Sequence, residues 1–101
     1  MISYNTALLR EICFQTSTAI DYLGEMAATC LQARHSDIQA ATNIFELPFG
    51  KVSLEGNVCY LIVPDILSIT IIPNYGIPDD GSLYDWSTVE RVKLIRINDV
   101  E

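Results

Sequence analysis

The sequence predicts an α+β fold: a long N-terminal helix and a short second helix packed on an antiparallel sheet of three to five strands. Three observations lead there. Apolar residues in the first third of the chain recur in steps of three and four, the period of a helix. After Pro48 the period changes to that of strands. The helical and strand stretches also follow one another instead of alternating, which disfavours a parallel βαβ sheet. A chain of 101 residues suits one domain, with residues 1–47 as its helical part and 48–101 as its sheet part.

The helical stripe is Leu9, Ile12, Thr16, Ala19, Leu23, Met26, Cys30 and Ala33, with one polar member. Cys13, Ile20 and Ala27 flank it on one side, Leu8 and Tyr22 on the other, so the apolar face is wider than a coiled-coil seam. Ser3 or Asn5 is the expected N-cap. A helix over residues 4–34 would be roughly 46 Å long at 1.5 Å per residue. A domain of this size has a radius of gyration near ~13 Å, so such a helix must break or protrude. Thr16-Ser17-Thr18 and Gly24 are the candidate breaks. The stripe keeps its phase across both, which favours one long, bent helix, with Gly24 explained by close packing. His35 then stands at the helix C-terminus, where the dipole favours a cationic ring. Ser36-Asp37-Ile38-Gln39 fits a capping box opening a second helix over residues 37–46, with Ile38, Ala41 and Phe45 on one face.

Beyond Pro48, residues 51–54 and 57–63 flank Glu55-Gly56 and read as a β-hairpin. Residues 58–63 are apolar at nearly every position, as in a strand covered on both faces. Residues 66–72 form a β-branched run between Pro64-Asp65 and Pro73-Asn74. Residues 75–87 form the longest loop. Residues 88–98 read as the last strand, and the slip of apolar phase between Leu94 and Ile95 signals a bulge or burial on two sides.

The net charge is −7, from six basic and thirteen acidic residues. Residues 35–90 hold eight of the acids against the single base Lys51, while the two ends balance. Phosphate-directed nucleic-acid binding is disfavoured, since it needs a basic surface. The acids either keep a hydrophobic chain dissolved or steer it onto a basic partner. The longest apolar stretch, residues 58–72, is too short and too broken to span a bilayer. No basic segment followed by an apolar run opens the chain, so a cytoplasmic location without a membrane is expected.

Catalytic apparatus is not evident. There is no phosphate loop, no GxSxG elbow and no HExxH. Cys13, Cys30 and Cys59 are odd in number and irregular in spacing, so they read as reduced, buried hydrophobes and not as a disulfide or zinc framework. Neither a cofactor nor a metal is expected. The segment Asp79-Asp80-Gly81-Ser82-Leu83-Tyr84-Asp85-Trp86 stands out. Its carboxylates do not match an EF-hand loop, because Gly76 falls where the first aspartate is required. As a recognition loop it offers Tyr84 and Trp86, with Tyr75 near by, among acids. As a plain turn it would fold Trp86 into the core.

In size, acidity and lack of catalytic apparatus the chain resembles small cytosolic inhibitors, such as toxin-immunity and phage anti-defence proteins, a likeness that carries no residues over. The expectation is a non-enzymatic module that binds and occludes a basic protein through Asp79, Asp80, Tyr84, Asp85 and Trp86. The alternative is an assembly subunit. In either case a homo-oligomer is expected, because a helix longer than its own domain carries excess apolar surface. Leu9, Leu23 and Met26 are its expected contacts.

Overall fold

The computed structural model describes residues 2–47, 51–75 and 82–101. Its architecture is α+β, with three helices and a five-stranded sheet. The chain runs β1 (Ile2–Tyr4), α1 (Ala7–Phe14), α2 (Thr16–Leu23), α3 (Glu25–Ala40), a 3-10 turn at Ile44–Glu46, β2 (Lys51–Glu55), β3 (Val58–Val63), β4 (Leu67–Pro73), a 3-10 turn at Trp86–Thr88 and β5 (Val92–Ile97). The sheet order is β1-β5-β4-β3-β2. It is mixed and not purely antiparallel, because β1 pairs parallel with β5.

The expected long helix is three helices. Both candidate breaks are used. At Gln15 the backbone turns extended (φ −113°, ψ 110°), ahead of the poor helix formers Thr16-Ser17-Thr18. At Gly24 it adopts φ 84°, ψ 164°, a region open essentially to glycine alone. A Cβ there would meet nothing within 4 Å, so Gly24 serves the break and not close packing. Breaking the helix lets α1, α2 and α3 fold on one another, and the radius of gyration is 13.2 Å. The break also resets the phase. In α3 the buried residues are Ala27, Ala28, Leu31, His35 and Ile38, while Met26 and Ala33 are exposed.

The caps moved as well. Thr6, not Ser3 or Asn5, caps α1, its Oγ1 accepting from the Leu9 N–H at 3.2 Å. Ser36 lies inside α3, which continues to Ala40, so no second helix opens there. His35 and Ile38 are buried, and Arg34 pairs with Asp37 at 3.1 Å across one turn; this packing outweighs the local capping signal. Capping occurs further on. The Asn43 Oδ1 accepts from the Phe45 N–H and the Glu46 carboxylate from the Thr42 N–H, closing the 3-10 turn.

The β-hairpin forms as read, with its loop at Gly56-Asn57, one residue later than expected. Gly56 takes φ 61° at the first loop position, the glycine-favouring corner of a II′ turn. Pro64 and Asp65 make the next turn, closed by the Ile66 N–H on the Val63 carbonyl at 3.1 Å, with Asp65 left-handed at φ 65°. The expected irregularity in the last strand is a bulge: Thr70 pairs with Arg96 but Ile71 with Leu94, leaving Ile95 over. That strand begins at Val92 and not at residue 88, since Trp86–Thr88 forms its own turn.

Cys59, Leu61, Leu67, Ile69, Ile71, Leu94 and Ile97 share one sheet face and form the core with Leu9, Ile12, Ala28 and Leu31 of the helices. The other face carries Val58, Tyr60, Ile62, Ile72 and Ile95, all half-buried. β3 is therefore covered fully on one face only, and its unbroken apolar run does not mark a strand buried on both sides.

Candidate functional site

Residues 82–91 pair with no strand until β5 begins, so their backbone groups need other partners. Side chains supply them. The Tyr84 N–H donates to the Asn57 Oδ1 at 2.8 Å, next to the hairpin turn. The Trp86 indole N–H donates to the Gly56 carbonyl at 3.0 Å. The Asp85 carboxylate accepts from both the Ser87 hydroxyl at 2.7 Å and the Ser87 N–H at 3.0 Å, and caps the 3-10 turn. The Tyr75 hydroxyl accepts from the N–H groups of Glu90 and Arg91 at 2.8 and 3.1 Å. The Arg91 guanidinium lies over the Tyr75 ring at 4.8 Å. Tyr75 and Tyr84 stack at a tilt, centroids 5.5 Å apart.

These bonds set the local electrostatics. Hydrogen bonds from Ser87, its hydroxyl first, hold the Asp85 carboxyl below the usual aspartate range. The bond from the Glu90 N–H, aided by those from Arg91, lowers the Tyr75 phenol. The result is a fixed surface on which Tyr75, Leu83, Asp85 and Glu90 are exposed and Tyr84 is half-buried. Leu83 is 67% exposed, although it is a large aliphatic side chain.

The residues singled out in the sequence divide as follows. Tyr84 is half-buried and Asp85 exposed, and the structure brings them together on this surface. Trp86 is 6% exposed and belongs to the core; it supports the surface from beneath and is not itself presented. Asp79 and Asp80 lie outside the described residues. Leu9 is a core residue at 0% exposure, which removes it from any contact surface of this fold. Leu23 is half-buried, Met26 is 72% exposed, and Ile20 and Tyr22 are exposed as well. Tyr75 gains a larger part than its sequence position suggests, and Leu83 was not anticipated. Its one signal was an isolated leucine in a polar loop.

The thiols and the single histidine lie elsewhere. Burial pushes the Cys13 and Cys59 thiols up to about 12, the reverse of what an activated thiolate needs. His35 is not a cationic ring at a helix end. It sits within α3, 4% exposed, and burial lowers its pKa. Its Nε2 lies 2.5 Å from the Tyr4 hydroxyl, and its ring packs edge-on against Phe14 at 5.0 Å. Burial raises the Tyr4 phenol to about 12. The hollow lined by Ile38, Ala41, Ile44, Leu47, Val89 and Val92 has about 20 Å³ of free volume, room for a single water. Among the described residues, no three His, Cys, Asp or Glu side chains gather as a metal site would require, and no helix is long and apolar enough to cross a membrane. No protein-family model matches the chain, and neither a curated protein nor a solved structure matches it.

Proposed function

We infer that this chain is a non-catalytic binding module that occludes a basic protein partner, in the manner of a small inhibitor. The observation that carries this reading is the pre-formed surface over Trp86. Six hydrogen bonds, five accepted by the Asn57, Asp85 and Tyr75 side chains and one by the Gly56 carbonyl, fix a segment whose outward groups are aromatic, aliphatic and acidic. Such a surface loses little conformational entropy on binding, and aromatic anchors ringed by polar groups are where binding energy concentrates. The net charge of −7 supplies long-range attraction to a basic surface.

The second reading is an assembly subunit acting through the N-terminal helices, favoured by the exposed Ile20, Tyr22 and Met26. Affinity capture from the native host separates the two. Under the first reading, Leu83→Ser with Tyr84→Ala loses the captured partner and Met26→Asp keeps it. Kinetics with that partner then divide the roles. Tyr84→Ala speeds release and costs about 2 kcal/mol of binding. Asp79→Asn with Asp80→Asn slows association and flattens its salt dependence. Capture unaffected by the loop substitutions but abolished by Met26→Asp would contradict the first reading.

A further inference from the structure

β2 is an edge of the sheet, five residues long without proline or a bulge, and its two charged residues, Lys51 and Glu55, stand at its ends. The hairpin dictates which of its backbone groups are free. A two-residue loop is closed by the Val58 N–H on the Glu55 carbonyl, so Glu55 bonds to β3, and by alternation so do Ser53 and Lys51. The N–H and C=O groups of Val52 and Leu54 therefore point away from β3.

An antiparallel strand arriving at this edge must meet those two residues. If that strand is β2 of a second copy, outward residues must face outward residues. Three short registers satisfy this: Val52 on Val52, Leu54 on Leu54, or Val52 on Leu54. The third alone overlaps all five residues of Lys51–Glu55. It sets Lys51 of each copy opposite Glu55 of the other, at both ends, on the face away from the helices. It sets Val52 beside the other copy's Leu54 on the helix side, where they stand 37% and 42% exposed although they share a face with the core residues Leu61 and Cys59. Ser53 meets its own copy on the two-fold axis. Among the described residues, neither Lys51 nor Glu55 takes part in an ion pair within the chain.

We propose that β2 is a dimer interface, at which two copies of this chain join antiparallel about Ser53 into one continuous ten-stranded sheet. The occupant is a second copy because Lys-Val-Ser-Leu-Glu is complementary to itself in charge and in apolar size in this register. The interface is isologous and closes on itself, so assembly stops at two. It does not depend on the contact surface over Trp86.

The test is sedimentation velocity over a concentration series reaching high micromolar, at physiological salt so that the net charge of −7 per copy is screened. The wild type dimerises. Lys51→Glu and Glu55→Lys each turn two attractive cross-strand pairs into two repulsive ones and raise the dissociation constant by roughly tenfold. The double variant Lys51→Glu/Glu55→Lys restores wild-type affinity. Leu54→Pro removes an outward N–H without removing a bond to β3, and gives a monomer with an unchanged circular-dichroism spectrum. If the proline variant does not fold, the charge-reversal set decides alone. A wild type that stays monomeric overturns the proposal. So does a double variant as weak as the single ones, or a dimer that ignores the β2 changes and dissociates on Met26→Asp.

Discussion

Residues 82–91 and strand β2 meet at Gly56, and they are finished in opposite ways. The first has no strand pairing until its end, yet its N–H groups at Tyr84, Ser87, Glu90 and Arg91 all find acceptors. The second is regular, yet among the described residues the backbone of Val52 and Leu54 faces away from its one partner strand. The difference teaches that regular structure and hydrogen-bond closure are separate properties. The irregular segment is closed by side chains, most of them from outside it: Asn57 and Tyr75 as well as its own Asp85. The regular strand leaves alternate groups facing outward, and only another strand complements those.

The comparison can be broken from the 82–91 side first. Trp86→Ala removes the buried ring that carries the segment and the bond to Gly56; it should cost about 3–5 kcal/mol by denaturant unfolding. A Trp86→Ala variant within 1 kcal/mol of wild type, as about a third of that cost, would mean the segment is not anchored there. Gly56→Ala forces a Cβ into a left-handed position and should cost about 1–2 kcal/mol. Asn57→Ala leaves the Tyr84 N–H without its acceptor, at about 1 kcal/mol. On the β2 side, Leu54→Ser should cost dilute protein only about 1 kcal/mol, because little more than half of the side chain is covered within one chain. A larger loss would show that β2 is already closed by something in the same chain.

A pH titration near 6.5 sharpens the contrast through a residue in neither region. His35 is buried neutral, with its pKa below the ordinary 6.5. The unfolded chain therefore binds the proton more readily, and stability should fall as the pH drops through and below about 6.5. His35→Gln should flatten that part of the profile in thermal melts, while melting that depends on protein concentration persists. An unchanged slope in the variant would place the acid sensitivity elsewhere.

Much of the sheet was legible in the sequence because a strand's period of two is read locally. The hairpin at Gly56, the turn at Pro64-Asp65 and the bulge near Ile95 each leave a mark within a few residues. The three residues Ile2–Tyr4 hold no period at all. They are a strand because β5 offers an edge beside them, a fact of the fold and not of the segment. The helices misled for another reason. Leu9 to Ala33 keep a stripe, but a stripe records spacing and not continuity. The chain gains more by folding Ala28 and Leu31 into the core against the sheet than by running one long helix past it. Gly24 and the Thr16 cluster were visible as weak points; what decided their use was compactness. At the candidate site Tyr84 and Asp85 were legible from composition. The part played by Tyr75 was not, because its hydroxyl acts on Glu90 and Arg91, fifteen and sixteen residues away. Trp86 illustrates the same limit, since a tryptophan in an acidic loop reads equally as anchor or as core.

Amide hydrogen exchange at residue resolution tests the contrast most directly, in dilute and in concentrated protein. In dilute protein the amides of Tyr84, Glu90 and Arg91 should be protected, and those of Val52 and Leu54 should exchange as freely as exposed chain, between protected neighbours at Lys51, Ser53 and Glu55. Raising the concentration should slow Val52 and Leu54 alone. Fast exchange at Tyr84, Glu90 and Arg91, or protection of Val52 and Leu54 that is the same at every concentration, would contradict the account.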